Sequence, residues 1–267
     1  MAPRRPPLIP PGVGAHVPNA HPLLEAEQRG ADLVQIFLSN PQSWKKPLPR
    51  IDAAELTQSA LPVIVHAPYL INVVAEPSRI RIPSRRILQE SCDAAAEIGA
   101  AAVVVHGGHL VGDAELDEAY PRWRKALVEL DSQLPVLIEN TASGDKAVAR
   151  RVESIERLWA EIGDLGPGFV LDTCHAWAGG EPSEDLVERL VEITGGIDLV
   201  HCNDSRDSFD SRRDRHANLG RGEIPEAVLA SMLVNARTVI VETPGAAEDH
   251  IADIEWVRRH MAHHQVA

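Results

Sequence analysis

Cysteine is scarce: Cys92, Cys174 and Cys202 are the three in 267 residues. They are odd in number and show no C-x-x-C spacing, which excludes a disulfide framework and a cysteine-built zinc module and points to the reducing cytoplasm. Long apolar runs are missing too. No window approaches the roughly 18 uninterrupted apolar residues of a membrane span. The opening MAPRRPPLIPPG is basic but has no apolar h-region, so neither a membrane segment nor a standard export signal is expected. Positive charge is in deficit: 26 Lys and Arg stand against 39 Asp and Glu, a formal charge of −13 at pH 7. Such a chain does not coat nucleic acid through a general basic surface, although a local cationic site stays open to it. What the chain does have is histidine, 12 in all. Neutral imidazole is the commonest metal ligand, so the histidine positions decide the reading.

Prolines at 3, 6, 7, 10 and 11 make residues 1–12 an expected flexible, proline-rich tail. From residue 13 to 267 a single domain is expected, because no linker interrupts an alternation of short β-branched runs with longer segments of helical period. The runs lie at 13–17, 32–38, 62–67, 101–107, 135–141, 168–173, 198–204 and 238–244. Helices are expected over Ser84 to Gly99, Asp113 to Leu130, Lys146 to Ile162 and Ser183 to Thr194, several ending at a glycine that can cap them. Strand then helix, eight times, is the pattern of an α/β protein built as a (β/α)8 TIM barrel.

The runs are apolar through their middles and end in polar residues: His16, Ser39, His66, His106, Glu139, Asp172, His201 and Glu242. In such a barrel the C-terminal strand ends converge on one mouth. Carboxylates gathered there without cations would be costly, and divalent metal resolves the conflict. Asp172-Thr-Cys-His175 adds a histidine from one tight turn, and Asp214-Arg-His216 adds an alternating pair from the loop after the seventh run. The set becomes five His and four carboxylates. Zinc is typically about four-coordinate, so three metals sharing a carboxylate fit these residues better than one. The ligand types suit Zn²⁺, with Mn²⁺ or Fe²⁺ substitution also compatible. Cys174 and Cys202 adjoin ligands, but alternation turns Cys202 away from the side used by His201.

Together these motifs resemble the endonuclease IV family of apurinic/apyrimidinic DNA-repair enzymes. The resemblance spans nearly the whole chain after residue 12 and is carried by GAHV from Gly14, HAPYLIN from His66, VVHGGH ending at His109, IENTA from Ile138, LDTCHA from Leu171, VHCNDS from Val200, DRHANLG from Asp214 and ETP from Glu242. It implies a trinuclear zinc phosphodiesterase in which His66 and His106 hold one metal, Asp172, His201 and Glu242 a second, and His175, Asp214 and His216 a third. Glu139 would bridge the first two and position a metal-bridged hydroxide. The implied reaction is cleavage 5′ to abasic sites in duplex DNA, leaving a 3′-OH and a 5′-deoxyribose phosphate, together with removal of 3′-blocking groups. A monomeric cytoplasmic enzyme, nucleoid-associated during repair in a bacterium, is expected.

Arg79, Arg81, Arg85 and Arg86 follow the third run, and Arg206, Arg212, Arg213, Arg215 and Arg221 lie around the loop after the seventh; both groups should rim the mouth and contact phosphates. Tyr69 and Asn72 are expected to shape the lesion pocket or support the ligands. Gln42, in Asn40-Pro-Gln-Ser-Trp44, stands where some family members carry an arginine that enters the minor groove, so this chain lacks that charge. His250, His260, His263 and His264 read as a solvated helix face. The alternative is a barrel sugar isomerase or epimerase using Glu139, Asp172, His201 and Glu242 around one or two divalent metals. The further ligands His66, His106, His175, Asp214 and His216 argue against it, and the complete ligand set argues against a non-catalytic lesion- or zinc-binding protein.

Overall fold

The computed structural model describes residues 6–110, 114–181 and 185–264, with His263 and His264 described by their backbone. The strands are β1 Gly12–His16, β2 Val34–Phe37, β3 Val63–His66, β4 Ala102–His106, β5 Val136–Glu139, β6 Gly168–Asp172, β7 Leu199–His201, β8 Asp204–Ser205, β9 His216–Ala217 and β10 Thr238–Val241. Eight of them close a parallel barrel in the order β1, β10, β7, β6, β5, β4, β3, β2, while β8 and β9 form a separate antiparallel ribbon. The helices are α1 Pro22–Arg29, α2 Ala53–Gln58, α3 Ser78–Glu97, α4 Ala119–Glu129, α5 Val152–Ile162, α6 Thr173–Gly179, α7 Leu186–Thr194, α8 Glu226–Met232 and α9 Ala247–His264. This is the expected single-domain (β/α)8 barrel.

Two-residue alternation divides the core. Val65, Val103, Ile138, Leu171, Val200 and Val241 pack outward against the helices. Ile64, Val104, Leu137, Val170, Leu199 and Ile240 point inward and fill the lower barrel. Two residues beyond each of these inward positions comes His66, His106, Glu139, Asp172, His201 and Glu242. The parity that buries the core therefore aims these six at the mouth. Gly14 is required for close approach, since a Cβ there would sit 1.8 Å from the Leu33 carbonyl oxygen.

Several boundaries differ from expectation. The described part of the proline-rich segment is no loose tail: Ile9 is buried with the inner-barrel residues, and Thr238 Oγ1 donates to Pro10 O at 2.9 Å. An apolar side chain is needed to close the barrel floor, and Ile9 supplies it. Helix α3 begins at Ser78 and runs through Pro83. The expected helix from Lys146 starts only at Val152, because residues 146–149 pair instead with the turn after β4 through Leu110 N to Lys146 O and Val148 N to Gly108 O. Asp113 and Ser183, the expected starts of two other helices, lie outside the described residues.

Candidate metal centre

Strand ends bring the predicted donors together. His106 pairs in register with Glu139, and Asp172 with His201. Glu139 is the hub. Its Oε2 lies 3.1 Å from His66 Nε2 and 3.3 Å from His106 Nε2, and its Oε1 lies 3.1 Å from His201 Nδ1 and 3.2 Å from His175 Nδ1. Four groups of donor atoms could each hold an ion: Cys174, Asp214 and His216; His66, His106 and Glu139; Glu139, Asp172, His201 and Glu242; and Asp172, His175 and His216. Asp214 joins the last, 3.1 Å from both His175 Nε2 and His216 Nε2. All nine predicted ligands thus meet at the mouth.

Three of these residues, His175, Asp214 and His216, do not come from barrel strands. Asp172 ends β6 and also caps α6, accepting the His175 backbone N–H at 2.6 Å, so a single helical turn carries His175 into the site. His216 sits on the β8–β9 ribbon opposite Ser205. This ribbon and α6 were not anticipated from sequence.

Outer partners fix which ring nitrogen faces inward. His66 Nδ1–H donates to Ala67 O at 2.7 Å, leaving Nε2 for the centre. His216 Nδ1–H donates to Glu242 O at 3.1 Å. His201 Nε2–H donates to Gln35 Oε1 at 2.9 Å, and Gln35 Nε2 donates to Glu242 Oε1 at 2.6 Å and lies 3.0 Å from His16 Nδ1. Gln35 is not evident in the sequence, where Ser39 is the polar end of its run. The strand ends at Phe37, and Gln35 follows the inward Leu33 by two, so parity could have found it. Asn140 and Asn203 bracket Asp172: its backbone N donates to Asn140 Oδ1 at 2.6 Å and its Oδ2 accepts from Asn203 Nδ2 at 2.6 Å. Such partners orient ligands and raise their basicity.

Electrostatics show how crowded the cluster is. Burial would push Glu139 up, but charge on His201 and His106 and hydrogen bonds from His106 and His175 hold it well below the ordinary range. Burial opposes charge on His216 and His201, yet nearby carboxylates raise each to about 9. Burial pushes Asp172 up, with Glu139 and Glu242 adding to it against His175 and His216. Protons on these histidines thus balance the carboxylates, the role a divalent cation fills when bound. His216 Nε2 is buried and makes no well-aligned hydrogen bond, although Asp214 Oδ1 lies 3.1 Å away, the arrangement of two donors that would share an ion. The residues present fit metal.

Cys202 is buried in the layer between barrel and helices, as its parity requires. Cys174 has its sulfur within 4.8 Å of donor atoms of Asp214 and His216, but burial pushes its thiol up to about 12. A cavity of about 410 Å³ opens over His106, His175 and Asp214 and is lined also by Trp44, Tyr69 and His109. The Tyr69 ring stacks on His106 with centroids 5.6 Å apart and 22° between planes. Asn72 is buried and clamps the turn after β4, donating Nδ2–H to His109 O at 2.8 Å. Gln42 is exposed on a loop closed by an Asn40 side-chain turn.

The expected cationic rim is mostly spoken for. Arg81 donates to the Ala75 and Glu76 carbonyl oxygens at 2.7 and 2.5 Å. Arg215 pairs bidentately with Asp207, which Arg213, 66% exposed, approaches at 3.5 Å. Arg212 pairs with Asp145 and Arg221 with Asp249. Two of the C-terminal histidines also differ from a solvated face, while the side chains of His263 and His264 lie outside the described residues. His250 is buried, held between Arg29 Nε at 2.9 Å and Thr243 O at 2.8 Å, and His260 stacks on Trp256 with centroids 3.7 Å apart.

The "Xylose isomerase-like TIM barrel" family model matches residues 23–260. A Mycobacterium leprae protein named "Probable endonuclease 4" is 58% identical over 247 residues, covering 92% of this chain and 97% of that one. A Mycobacterium tuberculosis protein of the same name is 57% identical over 247 residues with the same coverage. The crystal structure of endonuclease IV from Thermus thermophilus superposes with a TM-score of 0.80 at 30% identity, covering 95% of this chain and all of that one. A D-tagatose 3-epimerase-like structure, TM-score 0.77 over 96% of this chain, is 19% identical and shares the fold alone. With its complete donor set and these relatives, the chain belongs to the endonuclease IV family of xylose isomerase-like TIM barrels.

Proposed function

We propose that the protein is a DNA-repair endonuclease that hydrolyses the phosphodiester 5′ to abasic sites in duplex DNA, leaving a 3′-OH and a 5′-deoxyribose phosphate, and that it also removes 3′-blocking groups. The observation that carries this reading is the convergence of five histidines and four carboxylates on one mouth, with Glu139 in contact with four of the histidines. That is far more donor capacity than a one- or two-metal sugar isomerase needs.

His66 and His106 would hold one zinc and Asp172, His201 and Glu242 a second, with Glu139 bridging them, while His175, Asp214 and His216 would hold a third. Bound metal supplies a hydroxide nucleophile at neutral pH and offsets the charge of the phosphate. The chain does the rest. The outer partners keep one ring nitrogen of His66, His201 and His216 turned inward, and the Tyr69 and Trp44 rings wall a pocket beside His106. An extruded sugar without its base fits such a pocket at lower unstacking cost than an intact nucleotide. Asn72 would keep the turn after β4 in shape, Gln42 would fill the vacated stack, and Arg213 would contact phosphate. No described helix is long and apolar enough to cross a membrane. A monomer acting on DNA in the cytoplasm completes the reading.

The test is elemental analysis of the purified protein paired with incision of a duplex carrying one abasic site. About three metal equivalents and a single 5′ incision are expected. Full activity with one equivalent or fewer would overturn the three-metal assignment, and no incision of a fully loaded protein would overturn the repair reading.

A further inference from the structure

The segment after β10 carries Glu242 into the site, and the ribbon strand β9 carries His216. One side chain outside the metal groups holds the residues that follow both. Asp253, on α9 and 3% exposed, accepts from Thr243 Oγ1 at 2.6 Å and Asn218 Nδ2 at 2.8 Å through Oδ2, and from the Leu219 backbone N–H at 3.0 Å through Oδ1. Thr243 is next to Glu242, and Asn218 and Leu219 lie two and three residues beyond His216. The Asn218 amide also donates to Pro244 O at 2.9 Å. One helical turn earlier, His250 holds the Thr243 carbonyl. His216 Nδ1–H, donating to Glu242 O, completes a closed loop of contacts.

A buried carboxylate costs free energy unless its oxygens are hydrogen-bonded. Asp253 meets that need with three neutral donors from two segments, and no Lys or Arg among the described residues forms an ion pair with it. An apolar residue would pack there without that cost, so the geometry points to a positional role. We infer that Asp253 is a positioning residue that sets the spacing between the His175, Asp214 and His216 group and the metal pair that includes Glu242. The inference rests on the three-metal reading above.

The distinction from ordinary structural support is selectivity. Loss of general stability would loosen all three metals alike. Loss of this clamp frees the His216 segment, whereas Glu242 keeps Gln35 on its carboxylate and Asn203 on its backbone N–H, and the His66, His106 and Glu139 group, on β3, β4 and β5, keeps its own hydrogen bonds. Removing a group hydrogen-bonded to a ligand itself typically weakens metal binding about 10- to 100-fold, and Asp253, which acts through the neighbours of two ligands, should fall at the lower end of that range.

The experiment compares zinc-loaded full-length parent, Asp253→Ala, Asp253→Asn and Asn218→Ala by elemental analysis and by the time course of zinc release to a chromogenic chelator, with kcat and KM for an abasic duplex measured alongside. The parent should hold three equivalents. Asp253→Ala should release one of them at least 10-fold faster while two keep parental kinetics, and kcat should fall at least 10-fold with KM little changed. Asp253→Asn, which keeps one acceptor oxygen, should fall between, and Asn218→Ala should show the same selective release if Asp253→Ala does not fold. Parental release in the folded variants, or parallel release of all three metals, would overturn the inference. A parent with fewer than three equivalents would instead overturn the three-metal reading, and this inference with it.

Discussion

Gln35 accepts the Nε2–H of His201 at 2.9 Å, and this single contact leaves His201 Nδ1 as the nitrogen facing Glu139. The same amide donates to Glu242, so Gln35 orients two donors of one group at once. Gln35→Leu should therefore weaken metal binding and incision about 10- to 100-fold. Gln35→Glu keeps the acceptor for His201 but sets a carboxylate against Glu242, and should bind metal no better than the leucine variant. Metal titration of both variants checks this; parental affinity in Gln35→Leu would remove Gln35 from the site.

The barrel and the six donor positions at its strand ends were legible in the sequence because each depends on local periodicity, whereas His175, Asp214 and His216 were reached only through motif spacing. An apolar run of fixed parity states both its core residues and the residue that reaches the mouth. Gln35 shows the limit: its run continues as Ile36, Phe37 and Leu38, so the last polar residue, Ser39, lies beyond the end of β2, and the residue that touches the donors is Gln35. The role of α9 was hidden for another reason. His250 and Asp253 are polar positions on a terminal helix, and only the tertiary fold reveals that Thr243, Asn218 and Leu219 need them. Two partners of the rim arginines were hidden likewise, Asp145 for Arg212 and Asp249 for Arg221, which lie elsewhere in the chain, whereas Asp207 shares a loop with Arg213 and Arg215.

Glu139 and His175 should separate in their effects on metal content. Glu139 contacts four histidines, so Glu139→Ala should lower occupancy by about two equivalents. His175 touches Asp214 and the Asp172 end, and His175→Ala should lose about one. Both should fold, because the inner barrel is apolar below the site. Near-parental metal content and incision in His175→Ala would contradict its assignment as a ligand.

Protons and metal should compete. In the metal-free protein His201 and His216 titrate near 9 rather than the ordinary 6.5. A raised folded value means that the stabilisation is fully present below about 6.5 and is lost as pH rises toward 9. Glu139, Glu242 and Asp214 lie below their ordinary range, so their contribution is present above about 4.5 and is lost on acidification. The metal-free thermal midpoint should thus peak between about pH 5 and 6.5 and decline to 9. Metal replaces those protons, so affinity should increase over the same interval and the loaded protein should not decline with it. Thermal scans of both forms across this range decide the matter, and a metal-free midpoint that rises from 6.5 to 9 would contradict the proton balance.

Duplex binding should divide the rim residues by what their side chains already hold. Each phosphate contact contributes about −0.9 to the slope of log affinity against log salt. Arg213 is largely exposed, and Arg213→Ala should make the slope shallower by about 0.9. Arg81 is engaged with the carbonyls of Ala75 and Glu76, so Arg81→Ala should leave the slope unchanged and instead lower stability by about 1 kcal/mol. Arg215→Ala frees Asp207 beside the mouth and should weaken binding through added negative charge as well as any lost contact. Gln42 is uncharged and exposed beside the cavity that Trp44 lines, so Gln42→Ala should reduce the preference for abasic over intact duplex with no change in slope. Binding of both duplexes across a salt series, in a Glu139→Gln background that cannot cleave, measures all four. Equal affinity of the unsubstituted surface for abasic and intact DNA would defeat lesion recognition, and a slope change in Arg81→Ala with none in Arg213→Ala would reverse the assignment of the two arginines.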